Sequence, residues 1–144
     1  MKITQLFLRF AIAIGFLSAV ADRMGLWGTP GTTNVAWGNW ENFLNYSNQL
    51  NFFVPDFIGR ILAVLATCLE VVLAFLLIVG YQTRITAILS GGLLTFFALM
   101  MTLAFGIKMT FDYSVWIGVS ASFLLSTVPV YVYSLDQVLL DRRD

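Results

Sequence analysis

The chain has 144 residues, 59% of them hydrophobic and 11% charged, with eight acidic and eight basic side chains that leave no net charge. Soluble domains carry roughly 25% charged residues, so the composition belongs in a bilayer, and without a basic run it argues against nucleic acid as a partner. With no histidine and a single cysteine, it also argues against haem ligation, the usual zinc and copper sites, an internal disulfide and a thiolate metal cluster.

About 20 apolar residues cross a bilayer core, and residues 3–21 form the first such stretch. Lys2, the run from Phe10 to Leu17 and Ala19-Val20-Ala21 also fit a secretory signal with a cleavage site, although Arg9 shortens its apolar core. The loop 23–56 follows, holding Trp27, Trp37, Trp40, Tyr46, Phe52 and Phe53, rings that prefer the headgroup level. Trp40, Phe43 and Leu44 recur at helical spacing opposite Glu41, Asn42 and Asn45, predicting a short interfacial helix over the outer mouth of the protein. Anchoring is the ordinary use of such rings; the functional alternative is a lid whose aromatics, Trp40 included, touch a lipid-soluble substrate.

Three more spans are expected at 57–80, 85–106 and 113–134. An open sheet cannot span lipid, because its edge amides would stay unpaired. The linkers 81–84 and 107–112 are short enough to make successive helices antiparallel neighbours, and Asp112 is placed to cap the fourth. The expected fold is therefore all-α, a left-handed four-helix transmembrane bundle in one domain with an interfacial helix in its first loop. Lys2, Arg84, Arg142 and Arg143 fall on one side and Arg23 and Lys108 on the other, which favours both termini in the cytoplasm. Cys68, inside an apolar run, reads as a small buried hydrophobe.

Glu70 interrupts "RILAVLATCLEVVLAFLLIVG" (residues 60–80) near its middle. It shares a stripe with Ala63, Thr67 and Ala74, and small residues mark the faces on which membrane helices approach one another. Similar stripes are Ala11, Gly15 and Ser18; Gly91, Thr95, Ala98 and Thr102; and Gly118, Ser122 and Ser126. At about 1.5 Å per residue Glu70 lies near the midplane, level with Thr95 and Ser122, which become candidate hydrogen-bond partners. Inserting a mid-helix acid costs about 2.5–3.5 kcal/mol, and protonating a glutamate at neutral pH costs roughly 3.7 kcal/mol. These penalties are comparable, so Glu70 is expected either neutral or held by a buried cation, as at functional sites.

Arg9 is one candidate cation, but helical side chains tilt toward their own N-terminus, so Arg9 leans one way and Glu70 the other. The alternative for Arg9 is to snorkel to the nearer surface. Asp22 and Arg60 form a second candidate pair, read as structural.

Leu8-Arg9, Phe16 and Asp22-Arg23, together with Glu70 and Gly80-Tyr81-Gln82-Thr83-Arg84, resemble the DoxX family of small four-helix membrane proteins. They match its pattern of LR, an aromatic seven residues on, an acidic-basic dipeptide, and then E-x9-G-x-x-T-R. Where that family has glycines after the first arginine, this chain has Ala13 and Val20. The resemblance implies a bacterial cytoplasmic membrane protein associated with quinone-linked redox systems, and it raises Arg9, Glu70 and Arg84 as site residues.

The leading functional reading is thus a quinone-linked oxidoreductase subunit with no covalent or metal cofactor. In it Glu70 exchanges a proton, Arg9 polarises a carbonyl or balances charge, and Thr67, Thr95, Ser122, Arg84 and Trp40 are substrate-binding candidates; electrons come from a soluble or membrane redox partner. A non-catalytic scaffold recruiting an enzyme through the loop or the C-terminal tail is the second reading. Transport of a small solute or proton is the third.

Overall fold

The computed structural model describes residues 2–141. Among them the regular elements are all helices: α1 (Lys2–Arg23), α2 (Trp40–Leu50), α3 (Asp56–Val79), α4 (Thr83–Phe105), α5 (Ile107–Asp112), α6 (Val115–Ser126) and α7 (Leu135–Asp141). Three of them, α1, α3 and α4, are long and apolar enough to cross a membrane, and α6 is a shorter apolar helix of 12 residues. The first three expected spans are found within two residues at each end. The short helix expected in the loop is α2, whose N-cap Asn39 accepts the Asn42 N–H at 2.8 Å. Its buried residues Phe43, Leu44, Ser47 and Leu50 repeat at helical spacing and form one face.

The expectation for 113–134 is corrected. Ser114 sits at φ 54, a turn that separates α5 from α6, and the helix ends at Ser126. There Ser126 and Thr127 fold their hydroxyls back onto the Phe123 and Leu124 carbonyls at 2.7 and 2.8 Å. Pro129 follows, and the residue before a proline is pushed out of the helical region. Asp112 caps nothing here; it is the last residue of α5 and pairs with Lys108 on the surface. Arg142 and Arg143, used for the orientation, lie outside the described residues.

Helix α1 packs on α3, and α4 packs on both α6 and α3. A Cβ at Gly91 would stand 3.0 Å from the Phe123 ring, and one at Gly118 would stand 3.1 Å from Leu94, so these small residues do bring α4 and α6 together. The inner faces bury Ile12, Phe16, Leu73, Ala74, Leu77, Ala87 and Leu125. The outer faces expose Phe7, Ile14, Leu65, Val72, Phe75, Leu89, Ile117 and Leu124, an apolar belt that water would not tolerate at this size. Cys68 is on that belt, exposed rather than packed in the core, because its neighbours Leu65, Leu69 and Val72 share the outward face.

The start of α1 and the segment leading into α7 meet at one end of the molecule, called the basal end below. Gly80 ends α3 at φ 71, and the Tyr81 N–H returns to the Leu76 carbonyl at 3.1 Å, a Schellman-type stop. Asp136 of α7 accepts the Gln82 and Thr83 N–H groups, both at 2.7 Å, and so caps α4 from a distant part of the chain. A Cβ on Gly80 would overlap that of Ser134 and stand 2.6 Å from Arg9 Nη2. Gly80→Ala is therefore expected to destabilise the protein by about 2–3 kcal/mol, combining left-handed strain with overpacking. Thermal unfolding in detergent measures this against Gly15→Ala, where a Cβ has nothing within 4 Å; equal midpoints for the two variants would refute it.

Candidate functional site

The cation held by Glu70 is Arg23, the last residue of α1, and not Arg9. Arg23 Nη1 and Nη2 engage the two carboxylate oxygens of Glu70, the second at 3.0 Å. Nη1 also donates to Thr67 Oγ1 at 2.9 Å, while the Thr67 hydroxyl donates to the Ala63 carbonyl at 2.8 Å. Glu70 is 2% and Arg23 4% exposed. The guanidinium carbon lies 4.0 Å from the Phe43 ring centre and 5.4 Å from that of Trp37, so the pair is roofed by cation–π contacts from α2 and the loop before it.

The adjacent Asp22 fastens this roof. Its Oδ2 accepts the Ala36 N–H at 2.8 Å, and its Oδ1 accepts those of Trp37 and Gly38 at 2.8 and 2.9 Å. Three successive backbone donors that the loop would otherwise leave unpaired thus converge on one carboxylate, a charge-assisted arrangement. The expected Asp22–Arg60 pair does not form; Arg60 lies instead 3.9 Å from Glu41, with both side chains exposed. Neighbours in sequence therefore divide the labour: Asp22 holds the loop and Arg23 holds α3.

The pair lies in the wall of a partly open cavity of about 1090 Å³ lined by residues of α1, α2, α3, α4 and α6. Ala11, Gly15 and Ser18 line it, so this small-residue stripe leaves room instead of admitting a neighbouring helix. Most of the remaining wall is apolar, with Phe16, Leu62, Phe97, Met100 and Met101 among its residues, and Asn42, Asn45 and Tyr46 contribute polar groups from α2. Tyr46 stacks on Phe105 with ring centres 5.6 Å apart. Burial pushes its phenol above the ordinary value, so at neutral pH it remains an O–H donor.

The other expected site residues are scattered. Arg9, fully buried, spends its donors on main-chain carbonyls of Leu77, Ile78, Val132 and Tyr133 at 2.9–3.3 Å. Thr95 and Ser122 bond carbonyls of their own helices, Gly91 at 2.7 Å and Gly118 at 2.8 Å, and neither reaches Glu70. Arg84 is exposed at the basal end. Trp40 packs on Phe43 with ring centres 5.3 Å apart, outside the cavity wall. Glu70 and Thr67 are brought together; Trp37 and Tyr46, two of the loop aromatics that the lid alternative includes, line the cavity, and Arg23 and Phe43 complete the site without having been singled out for it.

Compared with known proteins, the chain matches no family model, no curated sequence and no solved structure.

Proposed function

We propose that the chain is an integral membrane protein of DoxX type, in which α1, α3 and α4 cross the bilayer, the shorter α6 packs beside α4 and α2 lies in the interface, and that its cavity binds the head group of a quinone. The observation that carries this reading is the buried Arg23–Glu70 pair in the wall of a large, mostly apolar cavity. Reducing a quinone to a quinol adds two electrons and two protons. Both protons come ultimately from water: Glu70, a carboxylate while it pairs with Arg23, takes up a proton as negative charge develops on the reduced quinone and relays it to that oxygen, the second proton follows by the same route, and Arg23 is the donor that orients the carbonyl. The electrons come from a redox partner protein. The aromatic roof on α2 excludes water and keeps the ion pair in a low dielectric, where its field acts most strongly on a bound carbonyl.

Five of the positions that carry the family resemblance support this reading, because they have work in the fold: Arg9 and Gly80 at the basal end, Asp22 under the loop, Arg23 and Glu70 in the cavity; Arg84 is exposed. In this reading the basal end faces the cytoplasm, where Lys2 and Arg84 fall.

Organic extraction and mass analysis of the purified protein test the proposal. Wild type is expected to carry a copurified quinone, and Glu70→Gln, which keeps the side-chain shape but leaves Arg23 uncompensated, is expected to lose it. A wild-type extract without quinone, combined with no uptake of added quinone, would refute the reading.

A further inference from the structure

The geometry of Arg23 carries a selection rule, which rests on the ligand-binding reading above. We infer that the cavity accepts neutral lipophiles whose polar group is a carbonyl oxygen, received by Arg23 Nε–H, and that Glu70 is the element that keeps out acidic lipophiles such as free fatty acids.

A guanidinium has five N–H donors arranged along two usable edges. Glu70 occupies the end-on edge, taking one hydrogen from each terminal nitrogen, and Thr67 takes a further hydrogen of Nη1. The side-on edge, made by Nε–H and the second hydrogen of Nη2, is left over. Nε has no partner and lies just behind the lining to which Arg23 contributes, so a ligand oxygen reaches it with a small shift of that lining. A buried donor without an acceptor is costly, and a single carbonyl oxygen between those two hydrogens satisfies it.

Charge then decides which carbonyl compounds enter. The paired Arg23 and Glu70 sum to zero, and the other charged residue of the wall, Asp22, keeps its negative charge although three backbone N–H groups engage both its oxygens, so the wall carries one net negative charge with Glu70 present and none in Glu70→Gln. The remaining polar lining is uncharged, Asn42, Asn45 and Tyr46 among it. A carboxylate ligand would have to share the guanidinium with Glu70, two like charges within one desolvated site. A neutral ketone, quinone or ester meets no such repulsion. Quinones and acyl lipids offer the same carbonyl chemistry.

The test uses the full chain in phosphatidylcholine nanodiscs, with Trp27, Trp40 and Trp116 replaced by Phe so that Trp37, beside the pair, reports. Quenching by methyl dibromostearate is compared with quenching by dibromostearate at a pH where the acid is ionised. The methyl ester is expected to bind roughly tenfold tighter than the acid, the weight of one charge-linked hydrogen bond. In Glu70→Gln the order is expected to reverse, because the freed guanidinium then offers a carboxylate its end-on edge. A decyl-substituted benzoquinone as third probe separates the sources: tighter than the ester, it supports a ring carbonyl; weaker, it supports an acyl lipid, and both place a neutral carbonyl at Nε. Wild type binding the acid as well as the ester overturns the inference without need of the variant, as does an unchanged order in Glu70→Gln. If quinone copurifies under either of those results, the proposed function survives and only the selection rule fails.

Discussion

Arg23→Leu is expected to destabilise the protein by about 3–5 kcal/mol, because it strands a carboxylate that is 2% exposed with no cation to meet it. Thr67 would lose a donor at the same time, and the Phe43 and Trp37 rings would lose the charge they cover. Glu70→Leu alone is expected to be comparably harmful, since it strands a guanidinium instead. The double variant Arg23→Leu/Glu70→Leu should recover most of the loss, because an apolar pair of similar volume is often neutral or stabilising relative to a buried ion pair. Unfolding in a denaturing detergent titration reads all four states of the cycle. If the double variant is as unstable as the sum of the singles, the pair is not a self-contained electrostatic unit. A recovered double variant that no longer carries ligand would separate the pair's part in binding from its part in stability.

Much of the scaffold is legible in the residues, because three apolar runs of the right length leave the backbone few options in lipid. Glu70 facing inward was equally legible from Ala63, Thr67 and Ala74 on its stripe. Its partner was missed, although the rule that counted against Arg9 points directly to Arg23. From Arg9 to Arg23 α1 rises about 21 Å, whereas from Leu77 to Glu70 α3 covers only about 10 Å. At the upper end of this stretch the α1 side chain leans down and the α3 side chain leans up, so two long side chains close the difference. Arg23 closes the last helical turn of α1, so its position at the edge of the loop conceals this reach in the sequence.

The fourth span failed for a different reason. Hydrophobicity alone runs unbroken across Ser126, Thr127 and Pro129, but hydroxyl back-bonding and proline end the helix there. The cavity could not be read at all from small-residue stripes. Gly91 and Gly118 bring helices close while Gly15 leaves open space, and one pattern serves both outcomes.

Arg9→Leu is the second large effect expected, and it acts at the opposite end from the candidate site. Helix α3 stops at Gly80, and the carbonyls of Leu77 and Ile78 near its end are taken by Arg9 Nε and Nη2, each at 2.9 Å. Nη1 reaches the carbonyls of Val132 and Tyr133 at 3.1 and 3.3 Å, tying the segment before α7 to the same point. A cation at a helix C-terminus is favourable in itself, and here it also closes four acceptors that the apolar substitute would leave open. A hydrogen bond to a charged group contributes about 1.5–3 kcal/mol, so losing the set should cost at least about 3 kcal/mol after partial access of water to the basal end. Arg9→Lys should recover only part, since an ammonium lacks the planar fork that serves two helix-end carbonyls and two loop carbonyls together. Hydrogen exchange locates the damage: faster exchange at Gln82 and Thr83, whose N–H groups depend on Asp136 staying in place, with Trp37 and Gly38 unchanged. Loss of protection at Trp37 and Gly38 to the same degree would show instead that the two ends of the molecule unfold as one unit and that Arg9 has no separate domain of influence.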